Sequence, residues 1–210
     1  MKERPIIFNA PMVRAILANT KTQTRRVVKP QPETSHDGEP YWYVGGYRAW
    51  EYRDTTDILR KGGNSLRCPF GAPGDRLWVR ESWRAPASCD HIPPRSIADS
   101  EARRFVADEC VGPDAGFGKK RPSMFMPRWA SRITLEVTGV RVERLHDISE
   151  GDAVAEGSVT VCMTPTGEDN GSAIWGPDGY CALWESINGP GSWDANPWLW
   201  AITFKRLEQP

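Results

Sequence analysis

Residues 133–145, Ile133-Thr134-Leu135-Glu136-Val137-Thr138-Gly139-Val140-Arg141-Val142-Glu143-Arg144-Leu145, carry the longest strand signal in the chain. Ile133, Leu135 and Val137 alternate with polar residues. The phase then slips at Thr138-Gly139 and resumes on Val140 and Val142. Successive side chains of a strand point to opposite faces, so a slip of one residue moves the apolar row across the sheet. A slip at glycine predicts a β-bulge, the irregularity that lets a strand bend around a barrel.

Working outward, the turn Pro73-Gly74-Asp75 leads into Arg76-Leu77-Trp78-Val79-Arg80-Glu81, a second alternating strand. Leu77 and Val79 share one face, and Glu81 continues it. A carboxylate closing a core-facing row needs a partner or water, which makes Glu81 a candidate site residue; fraying into solvent is the other reading. Ser149-Glu150-Gly151-Asp152 reads as a capping-box variant opening a short helix that ends at Gly157. Glu156 falls in its last turn, where the helix dipole disfavours a carboxylate by ~0.3–1 kcal/mol. Residues 180–188 read as an amphipathic helix closed by Gly189. The final strand, 198–204, places Trp198, Trp200, Ile202 and Phe204 on one face.

Toward the N-terminus, residues 11–19 predict a helix with Met12, Val13, Ile16 and Leu17 as its apolar stripe and Asn19 as a left-handed exit. Residues 24–28 have β character. A hairpin is expected through 41–47 within an otherwise loop-rich stretch, and residues 84–127 show no clear period. Short strands, few helices and a bulge favour an α+β fold: a small β-barrel with flanking helices. The expectation is one domain, 1–210, with insertions at about 30–73 and 84–127.

The chain of 210 residues is 39% hydrophobic, with 10 Trp and 18 Pro, and its mean hydropathy is −0.54. It can bury a core and carries long polar loops. No apolar run approaches the ~18 residues of a membrane span, and no signal-peptide h-region is seen. The expectation is a soluble, cytoplasmic protein without a membrane partner. Five cysteines without a CxxC pair argue against a disulfide framework and a zinc finger. Cys89-Asp90-His91 lacks a second ligand pair, so neither metal nor cofactor is expected.

A net charge of zero hides segregation. Residues 1–30 hold seven Lys/Arg against one Glu, and 119–144 hold seven against two. Residues 145–194 hold nine Asp/Glu and no Lys or Arg. The basic segments either converge into a phosphate-binding footprint or pair with the acidic segment inside the fold.

The densest chemistry follows the first helix: Lys21, Thr24, Arg25 and Arg26 within Ala18-Asn19-Thr20-Lys21-Thr22-Gln23-Thr24-Arg25-Arg26. Ammonium and guanidinium groups hold anions or polarised carbonyls, and a threonine hydroxyl beside a base is a nucleophile. Arg128-Trp129-Ala130-Ser131-Arg132 mixes cations with an aromatic, suiting phosphate contact and base stacking, or a tryptophan packed under a basic strand. Trp193, Asn196 and Trp198 suit a base-reading pocket or a tryptophan-rich core.

Residues 16–26 resemble the signature of ASCH domains, a branch of the PUA-like superfamily written G-x-K-x-x-x-x-R. Lys21 and Arg26 take the lysine and arginine positions and Asn19 replaces the glycine. Gly74-Asp75-Arg76-Leu77-Trp78-Val79 resembles the family's G-D-x-L-x-V strand. The bulged strand, the helix after it and the last strand follow in the family's order, and the whole chain is similar to prophage-type ASCH proteins. The resemblance implies a PUA-like barrel with a cleft for RNA or a modified nucleoside. One ASCH group hydrolyses N4-acetylcytidine with a lysine, a threonine and a glutamate, positions that match Lys21, Thr24 and Glu156. The implied roles are Thr24 as nucleophile, Lys21 as base with a depressed pKa, and Glu156 as acid or anchor. Arg25, Arg26, Glu81, Arg128, Trp129, Arg132 and Asn196 would contact substrate. A binding-only module for RNA or a modified base, and a ribonuclease, are the alternatives.

Overall fold

The computed structural model describes residues 1–34, 36, 40–44, 47–49, 51–52, 57–59, 65–108, 116–157, 160–163, 169–174 and 177–208. The principal elements are β1 (Glu3–Ile7), α1 (Ala10–Leu17), β2 (Gln23–Val27), β3 (Arg76–Arg80), β4 (Thr134–Arg144), α2 (Glu150–Ala155), α3 (Pro177–Asn188) and β5 (Trp198–Leu207). The hydrogen-bonded strand order is β1-β3-β4-β5-β2. The fold is mixed α+β with an open five-stranded sheet. The expected barrel is not closed among the described residues, because the five-residue strands β1 and β2 stand at the two ends of the order. The chain divides into two compact units. One comprises Met1–Asn19, Gly74–Glu136 and Lys205–Pro210, and the other Thr20–Pro73 and Val137–Phe204.

In the first unit, β1 runs parallel to β3 with Ile6 opposite Val79, and β4 begins antiparallel to β3 with Leu135 opposite Leu77. Ile6, Leu77, Val79 and Leu135 are buried, as period-two alternation requires for one core-facing row. Helix α1 starts where Asn9 Oδ1 accepts the Met12 N–H at 3.0 Å. It buries Val13 and Ile16 and ends at Asn19 with φ 58°, the left-handed exit that Asn tolerates. The 84–127 stretch, which shows no clear period in sequence, contributes to a small core. Trp83, Ala85, Cys89, Ile97, Phe105, Met126 and Ala130 pack together, joined by single 3-10 turns that follow Pro86, Pro93, Pro122 and Pro127. Arg121 ties the turns by donating to the carbonyls of Cys89 at 2.7 Å and Ile92 at 3.2 Å.

In the second unit, β2 is antiparallel to β5, with Thr24 opposite Ile202 and Arg25 opposite Ala201. Ser149 caps α2 by accepting the Asp152 N–H at 3.1 Å, and Gly157 follows with φ 74°. Leu145, Ile148, Ala153, Tyr180, Trp184 and Leu199 form the core beneath α2 and α3. Strand β5 is buried on both faces, since Leu199 and Ala201 are as enclosed as Trp200 and Ile202. Pro40–Val44 pairs with Tyr47–Ala49 as the expected hairpin, its turn residues Gly45 and Gly46 lying outside the described residues.

Along β4 the buried row changes from Leu135 and Val137 to Val140 and Val142, where the sequence phase slips. Gly139 is not among the residues of positive φ, so this is not a bulge built on a left-handed glycine. Among the described residues no helix is long and apolar enough to cross a membrane.

Candidate functional site

A buried ion cluster forms in the second unit around one face of β2. Lys21 Nζ donates to Glu156 twice, to Oε2 at 2.6 Å and to the backbone carbonyl at 2.8 Å. The two residues are 135 positions apart, and the lysine side chain is 0% exposed. The Thr22 N–H donates to the Ala155 carbonyl at 2.8 Å, fastening the segment before β2 to the end of α2.

Arg25 completes the cluster. Its Nη1 donates to Gln23 Oε1 at 2.6 Å and to Glu156 Oε1 at 3.2 Å, and its Nε donates to Glu143 Oε1 at 2.7 Å. Its Nη2 lies 3.1 Å from Asp152 Oδ2. Arg141 bridges from β4, bonding Glu143 Oε2 at 2.7 Å and Asp152 Oδ2 at 2.6 Å. Three cations thus meet three carboxylates. For these residues the basic and acidic segments pair inside the fold rather than forming a free cationic surface.

Burial lowers the Lys21 pKa below its usual range. The Glu156 charge and hydrogen bond oppose that shift, and the charges of Arg26 and Arg25 reinforce it. Burial also lowers Arg26, whose charge is felt at Glu156 and Tyr180. Burial raises Asp152, but Arg141 outweighs it and holds the carboxyl below its usual value. Arg25 lies over the Tyr180 ring at 5.8 Å from the centroid, and burial pushes the Tyr180 phenol far up, so it stays neutral.

Thr24 is placed differently. Within β2, Arg25 bonds Gln23, Glu143 and Glu156, and alternation sets Thr24 and Arg26 on the other row of the strand, from which the Arg26 charge still acts on Lys21 and Glu156. Thr24 is buried. Lys21 and Glu156 are therefore brought together without Thr24 bonded to either.

The first unit holds Glu81, Arg132, Arg128 and Trp129. Glu81 is buried instead of fraying into solvent. Arg132 clamps it through Nε to Oε1 at 2.9 Å and Nη2 to Oε2 at 3.1 Å. The same guanidinium also takes Asp108 through two bonds of 2.6 and 3.0 Å and sits 3.9 Å over the Phe105 ring. Burial raises the Glu81 pKa, against the pull of Arg132. Arg128 is paired with Glu3 at 3.0 Å. Trp129 packs edge-on against Trp83 at 5.7 Å, the packed-tryptophan alternative.

In the second unit, Asn196, with φ 40°, accepts the His146 N–H through Oδ1 at 2.9 Å. The His146 ring lies tilted against Trp193 at 4.9 Å. The Asn196 amide oxygen is thus engaged in holding its loop.

Sequence reasoning missed Gln23, Arg141, Glu143, Asp152 and Tyr180. Arg141 and Glu143 had a usable signal, since they alternate with Val140 and Val142 and so form the polar row of a half-buried strand. Tyr180 had none. Among the described residues no group of three or more His, Cys, Asp or Glu is arranged to hold a metal ion. Fold and site together define an α+β protein with a buried lysine–carboxylate–arginine cluster. No family model, curated protein or solved structure matches the chain.

Proposed function

We propose that the chain is an ASCH-type, PUA-like protein acting on RNA or a modified nucleoside, and that it hydrolyses an amide such as that of N4-acetylcytidine. The observation that carries this reading is the buried Lys21–Glu156 pair, with the lysine pKa lowered by burial. A neutral amine is a competent general base, and an arginine in its place is not. Lys21 takes a proton from water as the water oxygen bonds the acetyl carbon. The carbon–nitrogen bond then breaks, Lys21 returns the proton to the N4 amine, and acetate leaves. Arg26 is assigned to the developing oxyanion. Water is the nucleophile in this proposal, because no hydrogen bond joins Thr24 to Lys21 or Glu156 among the described residues.

The complete burial of Lys21 favours a second reading, a non-catalytic binding module in which the ion cluster organises the fold. Acetate release from N4-acetylcytidine, measured for wild type, Lys21→Ala and Thr24→Ala with folding checked by circular dichroism, separates the two. The expected result is turnover that drops by about 10²–10⁴ in Lys21→Ala and persists in Thr24→Ala. Equal loss in Thr24→Ala restores threonine as the nucleophile. Folded wild type without turnover leaves the binding module.

A further inference from the structure

The Lys21 side chain is 0% exposed, so in this arrangement its amine offers no surface to water or to a nucleoside. Both oxygens that enclose it belong to Glu156, the residue that closes α2. How α2 is held therefore decides how the amine is reached. The helix is six residues long and buries one of them, Ala153, while Val154 is exposed. A helix this short is marginal in water by itself, and a single alanine supplies little apolar burial. Its other ties are polar. Asp152 Oδ2 accepts from Arg141 at 2.6 Å and lies 3.1 Å from Arg25 Nη2, Glu156 accepts from Lys21 and Arg25, and the Ala155 carbonyl accepts the Thr22 N–H at 2.8 Å. The outermost of these, Arg141 to Asp152, is partly open to solvent at both ends.

The other side of the amine is built differently. Strand β2 pairs with β5, whose Leu199, Ala201 and Ile202 are fully enclosed. Thr22 marks the line between the two regimes: its carbonyl accepts the Phe204 N–H from β5 at 2.9 Å, and its N–H is given to α2. Gly157, with φ 74°, follows the helix in a backbone conformation that costs glycine nothing. An element with few apolar contacts and solvent-reached polar ties opens at lower free energy than the sheet it rests on. We propose that α2 is a lid over Lys21. It lifts from β2 when Asp152 parts from Arg25 and Arg141, admits the substrate, and closes so that the Glu156 oxygens hold the amine during the chemical step. What the lid admits rests on the proposed function; the motion rests on the ties of α2 alone.

The test is amide hydrogen exchange of the full chain, read residue by residue by NMR, beside acetylation of its lysines by acetic anhydride. Asp152→Asn keeps the shape of the side chain and removes its charge. In that variant the Thr22 N–H should exchange about ten- to hundredfold faster than in wild type, the loss of a charged hydrogen bond. The Val28 and Phe204 N–H groups, which bond the Trp198 and Thr22 carbonyls between β2 and β5, should keep their rates. Acetylation of Lys21 should rise relative to that of the exposed Lys29. Arg141→Gln leaves α2 unaltered and should move both readouts in the same direction. Thr22, Val28 and Phe204 accelerating together would mean that the sheet opens with the helix, which overturns the lid. An unchanged Thr22 rate in both variants overturns it too. No substrate enters either readout, so lid and chemistry fail separately. Acetate release with Thr22 exchange unmoved removes the lid alone, and local opening without acetate release supports the lid and removes the amide chemistry alone.

Discussion

Each unit buries a carboxylate against arginine, and the two clusters differ in what they can do with a proton. In the first, Arg132 serves Glu81 and Asp108 alone, is 24% exposed, and leaves one negative charge over. In the second, three carboxylates are balanced by Arg25, Arg141 and Lys21, with Lys21 and Arg25 fully enclosed. Arginine keeps its proton at any accessible pH, while burial makes a lysine's proton easier to remove. The comparison teaches that burial alone does not mark a reactive site. Under the proposed function, the kind of cation enclosed does.

Arg25→Ala should have the largest effect on stability. It leaves Glu143, Asp152 and Glu156 without their shared cation and should cost about 3–5 kcal/mol, read from urea unfolding. Arg132→Ala should cost less, about 1–3 kcal/mol, because Glu81 takes up a proton readily. Equal costs would break the contrast between the clusters.

Replacing the pair as a unit sharpens it further. Lys21→Met with Glu156→Leu exchanges two buried charges for apolar volume, which is often neutral or stabilising. The double variant should unfold within about 1 kcal/mol of wild type, above Glu156→Leu alone, and release no acetate. A double variant that is as destabilised as Glu156→Leu would mark the pair as part of the scaffold.

The pH dependences should have opposite signs. Lys21 has a folded pKa below its usual 10.5, so the unfolded chain binds more protons in that interval and stability rises with pH through it. Glu81 has a folded pKa above 4.5, so the folded chain binds more protons just above that value and stability falls as pH rises. Unfolding of wild type against Lys21→Met and Glu81→Gln across pH should show these two slopes. Parallel slopes would dissolve the distinction. The smallest effect is reserved for Ser149→Ala, which removes the α2 cap and should cost about 1 kcal/mol.

Much of this was legible where local rules act. The cap at Ser149, the left-handed Asn19 and the alternation of β3 each follow from neighbouring residues. Barrel closure was not legible, since it depends on whether two short edge strands meet, which no local pattern encodes. The core of the 84–127 stretch escaped because single 3-10 turns after prolines leave neither a helical nor a strand period. In the candidate site, Lys21 and Glu156 were readable as a pair only through the family resemblance. Spacing suggested Thr24 as their companion, and no hydrogen bond joins it to either among the described residues. Arg25 had been given to substrate, and its three carboxylates come from chain distances that charge counts cannot resolve.

The double grip of Glu156 on Lys21 has a further consequence. An ammonium group ordinarily spins about its terminal bond and trades hydrogens with whatever surrounds it. Here two of its three hydrogens are committed, one to a carbonyl and one to a carboxylate, so the rotor is stopped and the direction of the third is set. A neutral amine still has two hydrogens for those same oxygens. Losing the proton breaks neither bond. In the proposed reaction the nitrogen would pass from acid to base while keeping hold of both oxygens.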